Sequence, residues 1–376
     1  MNELSVLSAL RGAPARTLRE VSEATGLSWR TTNVVAEELA GHGWLTEVAE
    51  QRSGRRLGRP ARRFRFRAEA GHVLGLDIGA HKILAVVTDL EGNPAGHHRA
   101  DARPGDTAPE RLDTARTAIA AALADAGLGR DDLWAAAVGT AGIITSEGRV
   151  EKSVVLPGWT GLALAEELSR GLPCPIAVEN DCSLAAVAER WRGHAAATTN
   201  MIYVLSGLRL GAGLIINGGL HRGHGGAAGE IGALAEFGWS DAPQRLAEAA
   251  GLPEDTPREG AAKAVFDAAR TGDTASLEAV DSFSRDLARG IAAMALTVDP
   301  ELVVLGGGFS RAHDLLLPRL DEHLAELCVR APRLEASDLG DQAVALGAVR
   351  VALDAIEHHM TTLETSTPLL PEPLRL

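Results

Sequence analysis

The first forty residues repeat apolar side chains at helical spacing, whereas most of the remaining chain alternates short apolar runs with glycine-marked turns. Leu4, Val6, Leu7 and Leu10 predict a short amphipathic helix that stops near Gly12–Pro14. Thr17 is placed to cap a second helix, with Leu18, Val21 and Ala24 facing inward and Gly26 ending it. Ser28 is expected to cap a third, in which Val34, Val35, Leu39 and, less strictly, Thr31 face the core and Gly41 and Gly43 terminate the run. Helix, tight glycine turn, helix is a helix-turn-helix pattern. Its second helix would project Trp29, Arg30, Thr32 and Asn33 from the turn that Ser28 caps. Trp44–Val48 and Arg63–Arg67 then read as two strands around an arginine-rich loop, a hairpin in the position of a wing.

Beyond residue 70 the pattern becomes α/β. His72–Leu76 runs into Asp77-Ile-Gly-Ala-His-Lys82, then the strand Ile83–Thr88 and a turn at Glu91–Pro94. The same grammar returns when Met201–Leu205 runs into Ser206–Gly213, Leu214–Ile216 and a glycine turn. Such duplication predicts two similar lobes facing each other across a cleft. Further strands, Ala136–Val138, Ile176–Val178 and Leu302–Leu305, end in glycine or charge, at the carboxyl strand ends where such sheets bind ligands. The expected divisions are a head over 1–70, a first lobe over 71–190 and a second over 191–340. A closing helix over 341–357 would return to the first lobe. Residues 358–376 show no period and are expected to be mobile.

Charge sharpens this division. Gln51–Arg67 holds eight arginines and no acid; Met1–Ala70 balances to +4 and the remaining 306 residues carry −17. A basic module on an acidic body implies that only the head meets a polyanion, here double-stranded DNA. Ser28, Trp29, Arg30, Thr32 and Asn33 would then contact DNA, the last four at base edges, with Arg55, Arg56 and Arg59 along phosphates or in a narrow minor groove. Cys174, Cys182 and Cys328 form no CxxC pair, which points to reduced thiols. No apolar run approaches the roughly 20 residues of a membrane span, and no leader pattern opens the chain, so a cytoplasmic protein with no membrane partner is expected.

The head, followed by DIGAHK (77–82), ENDCSLAA (179–186), GGAAGEIG (225–232) and VVLGGGFS (303–310), resembles the ROK family of repressors, open reading frames and kinases. The resemblance implies a duplicated actin-like, sugar-kinase (ribonuclease H-like) body behind a winged helix-turn-helix. It puts a catalytic base at Asp181 in the family's kinases, and sugar contacts at Gly142, Asn180, Asp181 and Glu230. Departures are equally specific. Leu208 and Arg209 stand in the second phosphate loop where threonine and glycine are usual, His81 replaces a threonine in the first, and Val155 replaces an asparagine. Ala233 replaces the histidine that bridges zinc and sugar, and no cysteine follows it. Neither zinc nor ATP with magnesium is therefore expected, nor is a metal at His221 and His224. The implied function is non-catalytic: a repressor of carbohydrate genes, a homodimer or dimer of dimers, released from a palindromic operator by a sugar effector. Two alternatives stand beside it, a sugar kinase with an added DNA-binding head and a regulator whose vestigial cleft answers to a protein partner.

Overall fold

Short side-chain oxygens start the head helices. Thr17 Oγ1 accepts the Glu20 N–H while the Glu20 carboxylate accepts the Thr17 N–H, a reciprocal box worth about 1 kcal/mol. Ser28 Oγ accepts from Thr31 N at 3.1 Å. Between the two caps Gly26, at φ +70°, takes the left-handed turn that ends one helix and admits the next. The computed structural model describes residues 2–48, 61–253, 256–362 and 369–373. In the head, α1 (Asn2–Leu10), β1 (Arg16–Thr17), α2 (Leu18–Thr25), α3 (Trp29–His42), β2 (Leu45–Val48) and β3 (Arg63–Phe66) give three helices and an antiparallel sheet ordered β1-β3-β2.

The phase of α3 differs from expectation. Its buried stripe is Thr32, Val35, Ala36 and Leu39, while Val34 is 47% exposed. Positions i, i+3, i+4 and i+7 share one helix face, so burying Ala36 and Leu39 draws Thr32 inside and turns Val34 outward. Thr32 is tolerated there because its hydroxyl donates to Ser28 O at 3.0 Å. Ala24 likewise faces solvent.

The first lobe comprises β4 (His72–Ile78), β5 (Lys82–Asp89), β6 (Pro94–Asp101), α4 (Ala108–Ala126), β7 (Leu133–Thr140), the hairpin β8 (Ile143–Ile144) and β9 (Val150–Lys152), α5 (Leu164–Ser169) and β10 (Ile176–Asn180). α6 (Asp181–Arg192) leads into the second lobe. There follow β11 (Met201–Ser206), β12 (Leu210–Ile216), β13 (Gly219–Leu220), α7 (Ala242–Glu248), α8 (Arg258–Arg270), α9 (Thr274–Val298), β14 (Leu302–Gly306), α10 (His313–Leu327), β15 (Arg333–Ala336) and finally α11 (Ala343–Thr362). The sheets run β10-β7-β4-β5-β6 and β15-β14-β11-β12-β13, strand for strand the same order. In each, an antiparallel trio is continued by two parallel strands. The duplication is thus a property of the backbone. β6 and β15 have no signal in the apolar pattern because both are edge strands in which polar and apolar residues are mixed without a buried run.

α6 and α11 occupy equivalent places after β10 and β15, and they pack on each other between the lobes. A Cβ at Gly347 would stand 1.8 Å from Leu184 O, so only glycine permits this crossing. α11 also lies on β4 and β7 of the first lobe.

The head shares its core with the body. Val6, Leu10, Leu39 and Trp44 belong to the same buried cluster as Leu90, Trp134, Val349 and Ile356. Trp44 meets Trp134 edge-on, ring centroids 5.7 Å apart. Arg11 pairs with Glu357 at 2.7 Å and Gly12 N donates to Glu91 Oε1. The tail expected to be mobile contributes too. α11 continues to Thr362, and Leu369 is buried with its carbonyl accepting the Trp44 indole N–H at 2.9 Å. A buried indole N–H needs an acceptor, and the tail brings it one. Among the described residues no helix is long and apolar enough to cross a membrane.

Candidate functional site

Two surfaces carry the chemistry singled out by the sequence. The first is the outer face of α3, opposite its buried stripe, where Trp29, Arg30, Asn33, Val34 and Glu37 line up. Trp29 is 61% exposed, and among the described residues no hydrogen bond or ion pair occupies Arg30 or Asn33. Thr32, expected on this face, is in the core instead. Ser28, also expected as a DNA contact, caps α3: its Oγ accepts Thr31 N and shares a hydrogen bond with Thr31 Oγ1.

The arginines beside this helix divide by role. Arg62 bonds Glu37 of α3 at 2.7 Å and Glu47 of β2 at 3.0 Å, and its guanidinium lies over the Phe64 ring. Arg63 donates to Ala15 O and faces Glu20; Arg65 grips Glu69 through two hydrogen bonds. Arg62 and Arg63 tie the hairpin to the head, while Arg65 stays within its own segment. Arg55, Arg56 and Arg59 lie outside the described residues.

The second surface is the cleft. Asn180 ends β10 and caps α6: its Oδ1 accepts Ser183 N at 3.0 Å and its Nδ2 donates to Gly142 O at 3.1 Å. One amide hydrogen and one lone pair remain for a ligand. Gly142, at φ +134°, presses its Cα side against Lys152 O, 2.4 Å from where a Cβ would sit. This strand end therefore presents bare backbone. Asp181 Oδ1 accepts Cys182 N at 2.8 Å. Burial pushes the Asp181 carboxyl above its ordinary range. Glu230 reaches in from the second lobe; partial desolvation and the charge of Asp181 raise its carboxyl, and Lys152 draws it back. Gly142, Asn180, Asp181 and Glu230 are thus gathered at one place. Arg222 of the second lobe closes the flank by pairing with Glu179 of β10.

Behind them, Asp77 is 4% exposed and lies 3.3 Å from Lys82 Nζ. Burial lifts its carboxyl to about 6, against the pull of Lys82. Lys82 also donates to Asp341 O, just before α11. Arg111 belongs to no motif of the sequence. It is fully buried, and its guanidinium donates to Gly79 O at 2.5 Å and Arg103 O at 2.6 Å, pinning the β4–β5 turn from behind. One signal does mark it: position 111 falls on the apolar face of α4 with Ala108, Ala115 and Ala118.

Among the departures, Val155 leans on the first-lobe core and Leu208 on the second-lobe core, while His81, Arg209 and Ala233 are exposed. The turns after Glu230, Ile231–Ala233 and Ala235–Phe237, offer neither thiolate nor imidazole, so the residues present do not fit zinc. Among the described residues no three metal-ligating side chains converge, and His221 and His224 are both exposed.

The ROK family profile matches residues 73–236 and 244–355. A glucokinase from Streptomyces coelicolor is 28% identical over 75% of this chain and 98% of its own length. A xylose repressor from Caldicellulosiruptor bescii is 22% identical over 94% of this chain and 95% of its own. Among solved structures, a ROK family glucokinase from Streptomyces griseus, in complex with glucose and AMPPNP, matches 76% of this chain and 100% of its own with a TM-score of 0.65 and 26% identity. A ROK family transcriptional regulator, a homolog of the E. coli MLC protein, shares the fold over 94% of this chain and 96% of its own, with a TM-score of 0.73 and 21% identity. With two lobes of one strand order and a profile match spanning both, the chain belongs to the ROK family.

Proposed function

We propose that this chain is a cytoplasmic, sequence-specific transcriptional regulator. A winged helix-turn-helix binds double-stranded operator DNA, and a kinase-like body binds a sugar or sugar derivative without phosphorylating it. The observation that carries this reading is the outward face of α3, on which, among the described residues, Arg30 and Asn33 have no hydrogen-bond or ion-pair partner, beside an arginine-rich segment of the sequence. The similarity to a xylose repressor over nearly the whole chain supports it. A homodimer would set two α3 helices in successive major grooves, about 34–36 Å apart, on a palindromic site.

The body supplies a route for control. α6 begins at the candidate sugar site and ends at Trp191 and Arg192; Arg192 donates to Glu91 O, and Glu91 holds Gly12 of the head. In parallel, Arg350 of α11 lies over Trp191 and bonds Glu357, the partner of Arg11. A ligand that closes the lobes displaces both helices and with them the head. It shifts DNA affinity only by as much as its affinity differs between the two arrangements.

Phosphoryl transfer is the second reading. Asp181, with its raised pKa, suits a base that takes a hydroxyl proton. Against it, Leu208 and Arg209 occupy the turn that would cradle nucleotide phosphates. Fluorescence anisotropy with genomic fragments, with and without a sugar panel, tests the first reading; no fragment bound above random duplex would end it. ADP release with the same sugars, abolished by Asp181→Asn, would establish the second. A ligand response that survives Asn180→Ala with Glu230→Ala would leave the cleft vestigial and point to a protein partner.

A further inference from the structure

Apolar spacing puts Val34 inside the head, yet it lies outside, and this displacement gives the DNA-facing surface a chemistry that the charge pattern does not. At about 100° per residue, Trp29, Asn33, Glu37, Arg30 and Val34 cover one continuous face of α3. Its two ends are apolar: Trp29 is 61% exposed and Val34 47% exposed. Its middle is polar, and the acid within it, Glu37, is paired with Arg62; beyond Val34 the face continues to exposed Glu38. Of the groups that base pairs present in the major groove, only the thymine 5-methyl is apolar. An apolar side chain on a helix lying in that groove therefore discriminates by burying that methyl, while Arg30 suits guanine and Asn33 adenine.

We propose that Val34, assisted by Trp29, is a specificity determinant that reads a thymine 5-methyl in each operator half-site. The proposal rests on the DNA-binding reading above and commits that face to a duplex, as the +4 balance of the head and the exposed Arg30 on the same stripe favour. Arg62 contributes indirectly by holding Glu37 away from phosphates.

The test selects duplexes from a random library with the full chain, then replaces each thymine of the selected site by uracil, which removes the methyl and keeps the base pair. Burial of one methyl corresponds to about fourfold in affinity, so replacement in both half-sites of a dimer site is expected to weaken the wild type about fifteenfold. Val34→Ala is expected to respond less than twofold to the same replacement. Because Val34 is exposed, the variant retains its core, and circular dichroism checks this. The proposal is overturned if no uracil replacement weakens the wild type, or if Val34→Ala keeps the full methyl sensitivity. It is also overturned if Val34→Ala changes the oligomeric state in sedimentation, which would make this face a contact between copies. In each of these cases a selected motif still stands for the DNA-binding reading. Failure to select any motif would instead sink that reading and the proposal with it.

Discussion

The two lobes have one strand order and two differently furnished turns. At the β4–β5 turn a buried aspartate pairs with a lysine, and that lysine and a buried arginine donate to backbone carbonyls. At the equivalent β11–β12 turn Leu208 packs into the core and Arg209 extends into solvent. Duplication fixes the frame, because β4 and β11 must both pair on two sides and end beside a central helix. It does not fix what the turns carry. The first turn holds charge at a cost in desolvation that packing alone would not demand, whereas the second is indistinguishable from a structural loop. The proposed function, sensing without phosphoryl transfer, draws on that division.

The comparison breaks most severely at the helix pair that joins the lobes. Gly347→Val would drive a side chain into Leu184 O and is expected to cost at least about 4 kcal/mol, read as a loss of cooperative urea unfolding. Gly308→Ala, in the second lobe with no atom within 4 Å, is expected to be nearly neutral in the same assay.

Arg111→Leu would leave the Gly79 carbonyl without its guanidinium donor, while Arg103 O would keep only the Asp106 N–H. An expected loss of about 2–3 kcal/mol, with the β4–β5 turn exchanging amide hydrogens faster, would separate this turn from its second-lobe counterpart. An unchanged exchange rate would show that the arginine does not brace the turn.

Asp77 gives a pH signature of the first lobe. Its carboxyl is raised from 3.8 to about 6, so between those values the folded chain holds the proton more tightly than the unfolded one. Stability from this group is complete below about pH 4 and is lost as pH rises through about 6, a swing of at most about 3 kcal/mol. Asp77→Asn is expected to flatten that part of the stability curve; a curve falling equally in both proteins would assign the effect elsewhere.

The smallest effect is expected at the second turn. Leu208→Thr with Arg209→Gly should alter stability by less than about 1 kcal/mol, since Arg209 is exposed and Leu208 only half-buried. Calorimetry with ATP sharpens the contrast: binding that appears only in the double variant would locate the lost cradle, whereas equal binding by the wild type would erase the distinction between the turns.

Much of this is legible in the residues. Thr17, Ser28 and Gly26 announce the head helices because caps and left-handed turns are local chemistry. The duplicated strand, glycine turn and strand announce both sheets. Asn180, Asp181, Glu230 and Gly142 are placed together only through the family resemblance, since β10, a loop of the second lobe and the backbone after β7 meet by folding. Arg111 is easily passed over as one charge among many, although its place on an apolar helix face marks it.

The sequence by itself determined the elements, their duplication and the basic character of the head, because each depends on spacing along one segment. Tertiary structure alone decided that Val34 faces outward, that Arg62 and Arg63 tie the hairpin to the head, and that Leu369 seals Trp44. Those outcomes hinge on which surfaces compete for the same core: the phase of α3 is set by its packing on α1, α2 and β2, and the acceptor of the Trp44 indole comes from 325 residues further on, where no local pattern reaches.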